Sequence, residues 1–162
     1  MQANRRTALA LGVACVLVVT LVSLASAAKP TRQLIPASED IVIGDCGFPV
    51  EIDFLREKGT LTTFTDESGA VVFELTTGPF VVAVTNLETG ESLRLNISGP
   101  GMFRVEKDGT ATFTGAGPWL FFGFSPAEGF PTFFLTEGKF VFEDGTFTQV
   151  GRLVDLCAEL AA

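Results

Sequence analysis

Glu51 and Asp53 are the residues whose types and spacing come closest to a catalytic pair. They stand two positions apart, so on a strand their carboxylates project from one face about 7 Å apart, within the range that inverting glycosidases use. The alternate positions are apolar: Phe48, Val50, Ile52 and Phe54. Because an apolar face packs on a core, the two acids most simply face solvent, and we predict no catalytic residue.

Residue types that the chain lacks exclude several kinds of active site. The sequence contains no histidine and no tyrosine. A Ser-His-Asp triad, a Cys-His pair, a histidine metal site and a phenolic acid or base are therefore excluded. Cysteines without histidine also make a zinc site unfavourable here. We predict no metal and no cofactor, and catalysis by general acid–base groups is disfavoured.

The N-terminus predicts export. Arg5 and Arg6 precede an apolar run over residues 8–24, and the small residues at 25–27 follow it. This layout is typical of a signal peptide, so we predict that residues 1–27 are removed and that the mature protein is secreted and extracellular. Because the apolar run is close to the ~20 residues that span a bilayer, an uncleaved N-terminal anchor is the alternative.

The mature part of the chain is strongly acidic. Loss of Arg5 and Arg6 with the signal leaves nine basic and 19 acidic residues, a net charge of −10. Nucleic acids and anionic lipid surfaces bind to basic patches, so we predict neither as a partner, and no membrane contact after signal cleavage. A small apolar ligand or a protein partner remains possible, and the charge does not determine the oligomeric state.

Two cysteines, Cys46 and Cys157, remain after signal cleavage, because Cys15 lies within the signal. An even number of cysteines in an exported protein favours a disulfide. By the chain-entropy argument, closing so long a loop stabilises the fold by ~4–5 kcal/mol. Two buried free thiols are the alternative.

Short alternating segments separated by glycine-containing turns predict an all-β fold. Residues 92–97 alternate polar with apolar, the period of two that places one face of a strand on a core. Asp108-Gly109 predicts a two-residue hairpin with positive φ at both positions, and Asp144-Gly145 predicts another tight hairpin.

Roughly nine or ten strands at spacings near ten residues, joined by short connections, favour an antiparallel up-and-down meander that closes into a β-barrel. A β-sandwich is the alternative. We expect residues 28–45 to form an extended, partly mobile leader and residues 46–162 to form a single barrel domain. Periodicity leaves the last segment, 152–160, open between a strand and a short helix.

Aromatic residues are abundant in the mature part, with sixteen phenylalanines and one tryptophan. The segment 119–124 is apolar on both strand faces, so both faces need cover. The residues that we expect to line an apolar cavity or to form such a cover are Trp119, Phe121, Phe122 and Phe124. Complete packing is the simpler interpretation, and a barrel of about eight strands that holds one small ligand is the other.

Several motifs, mainly in turns, resemble those of small secreted actinobacterial proteins without an assigned function. The matching runs are Cys46-Gly47-Phe48-Pro49-Val50, Thr85-Asn86-Leu87-x-Thr89-Gly90, Asn96-Ile97-Ser98-Gly99-Pro100, Asp108-Gly109-Thr110, Gly115-x-Gly117 and Val154-Asp155-Leu156-Cys157-Ala158. They extend over most of residues 46–160. The resemblance implies a β fold with paired terminal cysteines, and it implies no activity and no site residues.

Three functions are compatible with these observations. The leading prediction is a secreted, disulfide-closed β-barrel that binds a small apolar ligand or another surface without catalysis. An enzyme of the cyclase type, in which a hydrophobic cavity steers a reactive substrate, is the second. A structural envelope or matrix protein is the third.

Overall fold

The computed structural model describes residues 29–106, 108–124 and 129–162, which form two antiparallel sheets and one short helix. The strands are β1 (Thr31–Leu34), β2 (Ile41–Ile43), β3 (Val50–Glu57), β4 (Thr60–Thr65), β5 (Val71–Thr77), β6 (Phe80–Asn86), β7 (Ser92–Asn96), β8 (Gly101–Val105), β9 (Ala111–Phe122), β10 (Phe133–Glu143) and β11 (Thr146–Asp155), followed by the helix α1 (Leu156–Leu160). The large sheet has the order β1-β4-β5-β8-β9-β10-β11, and the small sheet has the order β2-β3-β6-β7. The predicted signal peptide, residues 1–27, lies outside the described residues.

The predicted all-β class is confirmed, but the predicted barrel is wrong. Within the described residues neither sheet joins its first strand to its last, and two sheets form a sandwich-like arrangement instead. The reason lies in short connections that cross between the sheets, two of which are only two residues long. Lys58-Gly59 and Gly78-Pro79 join strands that lie in different sheets, so they are corners rather than hairpins. A short connection therefore does not guarantee that the strands it joins are paired.

The two corners lie against each other. The backbone N–H of Lys58 donates to the carbonyl of Pro79 at 3.1 Å. A Cβ on Gly78 would lie 2.3 Å from the Lys58 carbonyl oxygen, and Gly78 has a φ of 133°. Only glycine fits this approach and this backbone conformation, so the sequence at the corners is what lets the chain change sheets twice in the same place.

One apolar core lies between the small sheet, the large sheet and α1. Its buried members are Val50, Ile52, Val82, Val84, Phe133, Leu135, Leu156 and Leu160. Each such side chain contributes about 1.5–3 kcal/mol by leaving water. The C-terminal segment that periodicity left open is both strand and helix, because Asp155 ends β11 and caps α1, accepting a hydrogen bond from the Ala158 N–H.

The predicted disulfide is confirmed. Cys46 and Cys157 are bonded across a sequence separation of 111 residues. Both half-cystines pack against the core described above. The bond therefore ties the segment before β3 to α1 and closes almost the whole domain into one loop.

A row of three glycines bends the large sheet. Gly138 in β10 pairs with Gly117 in β9 and with Gly151 in β11. A Cβ on Gly138 would lie 2.1 Å from the Val150 carbonyl oxygen. Without side chains at Gly138 and Gly151, β10 and β11 approach more closely here than any other residue would allow, and the sheet folds towards one face.

The bent large sheet encloses an aromatic cluster. Its rings, with centroids 5.0–6.5 Å apart, belong to Phe113, Trp119, Phe121, Phe124, Phe130, Phe134, Phe140 and Phe147. Phe121 and Phe147 lie opposite residues of β10 that are eight positions apart, or about 26 Å on a flat strand. Their rings are nevertheless 5.1 Å apart. The bend at the glycine row brings the two ends of the strands together.

The leader and one hairpin differ from expectation. The predicted leader is residues 28–45; its described part, from residue 29, contributes β1 to the large sheet and β2 to the small sheet. The prediction of a two-residue hairpin at Asp108-Gly109 is wrong. Of these two residues only Gly109 has positive φ, and the hydrogen bond from the Glu106 N–H to the Thr110 carbonyl closes a longer loop. At Asp144-Gly145 the tight hairpin is confirmed, with φ of 48° and 75°.

The bend generates a prediction. Gly138→Ala should lower the free energy of unfolding by at least about 2 kcal/mol, because the new methyl group overlaps the β11 backbone and the strands must separate. Gly44→Ala is the control, since a Cβ there meets nothing within 4 Å. Chemical denaturation of both variants measures the difference, and equal stabilities would contradict the role of the glycine row.

The disulfide generates a second prediction. Replacing both half-cystines in Cys46→Ser/Cys157→Ser should lower the free energy of unfolding by about 4–5 kcal/mol, since the long loop is no longer closed in the unfolded chain. Peptide mapping of the wild type from its own host, without reductant, should recover the two cysteine peptides as one species. Two alkylatable thiols in that protein would show the bond to be absent.

Candidate functional site

A cleft of about 290 Å³ lies where the two sheets meet. We call it the Trp119 cleft. Its lining residues are Ile35, Ser38, Phe54, Glu57, Thr76, Phe80, Ile97, Gly99, Trp119 and Leu120. Most of these side chains are apolar, and Glu57 is the one charged residue among them. The cleft is therefore a small apolar space with a single carboxylate.

The corner at Gly59 determines the position of the Phe80 ring in the wall of the cleft. Glu57 and Phe80 are directly opposite in the β3–β6 ladder, so their side chains share one face about 5 Å apart at Cβ. A Cβ on Gly59 would lie 2.2 Å from the Phe80 ring and 2.7 Å from Ile35. The missing side chain at this corner leaves room for Phe80 and Ile35 to close over it.

The leader forms a third side of the cleft. The Ile35 N–H donates to the Gly59 carbonyl at 3.0 Å. The Ser38 hydroxyl donates to one oxygen of the Glu57 carboxylate at 2.8 Å, and the Ser38 backbone N–H donates to the other. Two residues further on, the Asp40 carboxylate accepts the Phe54 N–H at 3.0 Å. The leader is thus held across the cleft by hydrogen bonds to β3 and to the corner that follows it.

Trp119 belongs both to the cleft and to the aromatic cluster. Its ring meets Phe113 and Phe140 edge to face, at centroid distances of 5.4 and 5.5 Å. A Cβ on Gly99 would lie 2.2 Å from the indole Nε1, and one on Gly101 would lie 2.7 Å from the ring. Glycine at both positions lets the indole lie flat on the backbone, which fixes its orientation in the cleft wall.

The indole N–H has no acceptor in the described part of the chain. Burying a donor without a partner costs about 1–3 kcal/mol. This local cost is offset by the packing of the ring, since an aromatic side chain of this size removes a large apolar area from water.

The four residues expected to line a cavity or form a cover have different positions. Trp119 lines the cleft. Phe121 and Phe124 pack within the aromatic cluster, and the Phe122 side chain is 45% exposed. Phe122 lies at the end of β9, where the core that covers Leu120 and its neighbours no longer reaches.

Sequence reasoning missed most of the cleft. Phe54 and Glu57 belong to a strand whose buried face was predicted, but nothing in its alternation marks the cleft. Ile35 and Ser38 were assigned to a leader outside the domain. The available signal was the pair of corner sequences, Lys58-Gly59 and Gly78-Pro79, which bring these residues together once they are recognised as corners.

The acidic pair that came closest to a catalytic arrangement lies elsewhere. Glu51 and Asp53 alternate on β3 with the fully buried Val50 and Ile52, so they project from the opposite face of the small sheet. Among the described residues, no three His, Cys, Asp or Glu side chains come together as ligands for a metal ion. In the same part of the chain, no helix has the length and apolar character needed to cross a membrane.

Comparison of the chain with known protein families, with curated proteins and with solved structures finds no match. The resemblance to small secreted actinobacterial proteins stays a prediction.

The fit between Trp119 and Gly99 generates a prediction. Gly99→Ala should displace the indole, because a methyl group cannot lie 2.2 Å from Nε1. The expected result is a red-shifted tryptophan emission together with a loss of stability. Gly44→Ala again serves as the control. Because the chain has a single tryptophan, the emission reports only this site, and an unchanged spectrum would contradict the close contact.

Proposed function

We propose that the protein is a secreted, non-catalytic binding protein that holds a small apolar ligand in the Trp119 cleft. The observation that carries the proposal is the cleft itself: an apolar space of about 290 Å³ at the junction of the two sheets, walled by aromatic and aliphatic side chains. Its volume is near the lower end of the usual range for ligand sites, roughly 300–1,000 Å³, which favours a small ligand.

The polar groups of the cleft favour binding over catalysis. They are the carboxylate of Glu57 and the hydroxyls of Ser38 and Thr76. The carboxylate already accepts two hydrogen bonds from Ser38. A cleft with one carboxylate and two alcohols can orient a ligand, but it offers no second group to exchange a proton with it.

The aromatic cluster is a less suitable place for the ligand. Its rings contact each other at the distances of a packed core, and Phe134 and Phe140 are at most 2% exposed. It stabilises the bend of the large sheet, and through Trp119 it holds one wall of the cleft in place.

Export supports the same proposal. The signal-like N-terminus and the disulfide agree with a protein that works in an oxidising space outside the cell. Retention by an uncleaved N-terminal anchor remains the alternative location and would leave the cleft unchanged.

The proposal is tested with a neutral apolar dye, N-phenyl-1-naphthylamine. We expect the wild type to bind it with low micromolar affinity and to change its Trp119 emission on binding. Thr76→Phe should weaken dye binding about tenfold or more, because the added ring occupies the cleft.

Thr77→Phe is the matched control. Thr77 is the next residue of β5, is exposed, and does not line the cleft. This variant should bind the dye like the wild type. Absence of dye binding by the folded wild type, or equal loss in both variants, would contradict a ligand site in the Trp119 cleft.

A further inference from the structure

We propose that the ligand of the Trp119 cleft is a hydrophobic ammonium compound, an apolar molecule with a protonated amine that binds the Glu57 carboxylate in place of Ser38. This inference rests on the proposed function and adds the chemical class of the ligand. It depends on four features: the charge of the cleft, its aromatic side chains, the net charge of the whole protein and the attachment of the leader.

Glu57 supplies the charge. It is the one ionisable residue lining the cleft, and in the described part of the chain it forms no ion pair. An ionised carboxylate only accepts hydrogen bonds, and its partners here are the hydroxyl and the backbone N–H of Ser38. An ammonium group carries up to three donors and a full charge, so it binds such a carboxylate more strongly than a neutral alcohol does.

The aromatic wall suits the same head group. Glu57 lies directly opposite Phe80 on one face of the small sheet, and Phe54 and Trp119 line the same cleft. The faces of aromatic rings carry partial negative charge and attract organic cations, with tryptophan the strongest. A carboxylate beside aromatic rings therefore binds the ammonium group and the carbon atoms next to it together.

The net charge of the whole protein also favours a cationic ligand. The mature chain has a net charge of −10 after loss of residues 1–27. Such a surface concentrates cations and repels anions. The carboxylate of a fatty acid would be repelled both by this negative net charge and by the like charge of Glu57, so an anionic ligand is disfavoured.

The leader can release Glu57 at little cost. All four residues of β1 are exposed, and the Leu34 side chain is 77% exposed. The leader does not have to detach, because the β1–β4 and β2–β3 ladders stay paired. Only the two Ser38 bonds to Glu57 are exchanged, and these are made at the protein surface. A ligand that takes the carboxylate from Ser38 opens one side of the cleft as it binds.

The test uses three eight-carbon probes that differ only in the head group: octylammonium, octanol and octanoate. Titrations at pH 7 and low salt follow Trp119 emission. At this pH a primary amine is protonated, since its pKa is near 10. We expect octylammonium to bind about tenfold or more tightly than octanol, and octanoate to bind most weakly.

Three variants assign the preference to the cleft. Glu57→Gln should reduce the affinity for octylammonium to that for octanol. Ser38→Ala should strengthen octylammonium binding, because the carboxylate is no longer shared with the hydroxyl. Glu88→Gln, which removes the same charge from an exposed turn outside the cleft, should bind all three probes like the wild type.

The outcomes separate this inference from the function on which it rests. Equal affinities of the wild type for octylammonium and octanol would overturn the ammonium proposal and leave an apolar-ligand site. Tightest binding of octanoate would overturn it as well. Binding of none of the probes would count against the proposed function itself. The wild-type comparison needs no variant, so a failure of Glu57→Gln to fold does not affect it.

Discussion

The close approach of the β10 and β11 backbones at Gly138 and Gly151 is the constraint on which the rest of the structure depends. A Cβ on Gly138 would lie 2.1 Å from a carbonyl oxygen of the next strand, so the strands reach this spacing only without side chains. The bend that results turns one face of the large sheet inward and lets its aromatic rings meet. Without it, Phe121 and Phe147 would lie too far apart to touch.

Trp119 connects this bend to the cleft. Its ring packs edge to face on Phe113 and Phe140 within the fold of the sheet, and it also forms a wall of the space between the sheets. The corners at Gly59 and Gly78 bring Phe80 and Glu57 to the opposite wall. The cleft thus lies between two features of the fold: the bend of the large sheet and the corners that join it to the small sheet.

The sequence predicted the local structure better than the topology. Alternation identified β3, and Asp144-Gly145 identified its hairpin, because both depend on neighbouring residues. The pairing of Cys46 with Cys157 followed from export and an even number of cysteines. Whether Lys58-Gly59 is a hairpin or a corner depends instead on the contact of Lys58 with Pro79, 21 residues further along the chain, which no local pattern records. The barrel was predicted for that reason.

The candidate site was harder to predict for the same reason. Trp119 was identified because aromatic residues on both faces of a strand require cover. Phe122 was selected by the same argument, and it is exposed because β9 extends beyond the core. Glu57 resembles any polar residue near a strand end, and Ser38 resembles any residue of a leader. Their roles depend on a hydrogen bond between segments that only the folded chain brings together.

Native mass spectrometry of the protein purified from its own host tests the account most directly. We expect the mass of the disulfide-bonded chain without residues 1–27 and, with it, a species that carries one small basic molecule, which is lost when the protein unfolds. Detection of the bare chain alone, under conditions that retain an added octylammonium ion, would contradict the claim that the Trp119 cleft is a ligand site in the native protein.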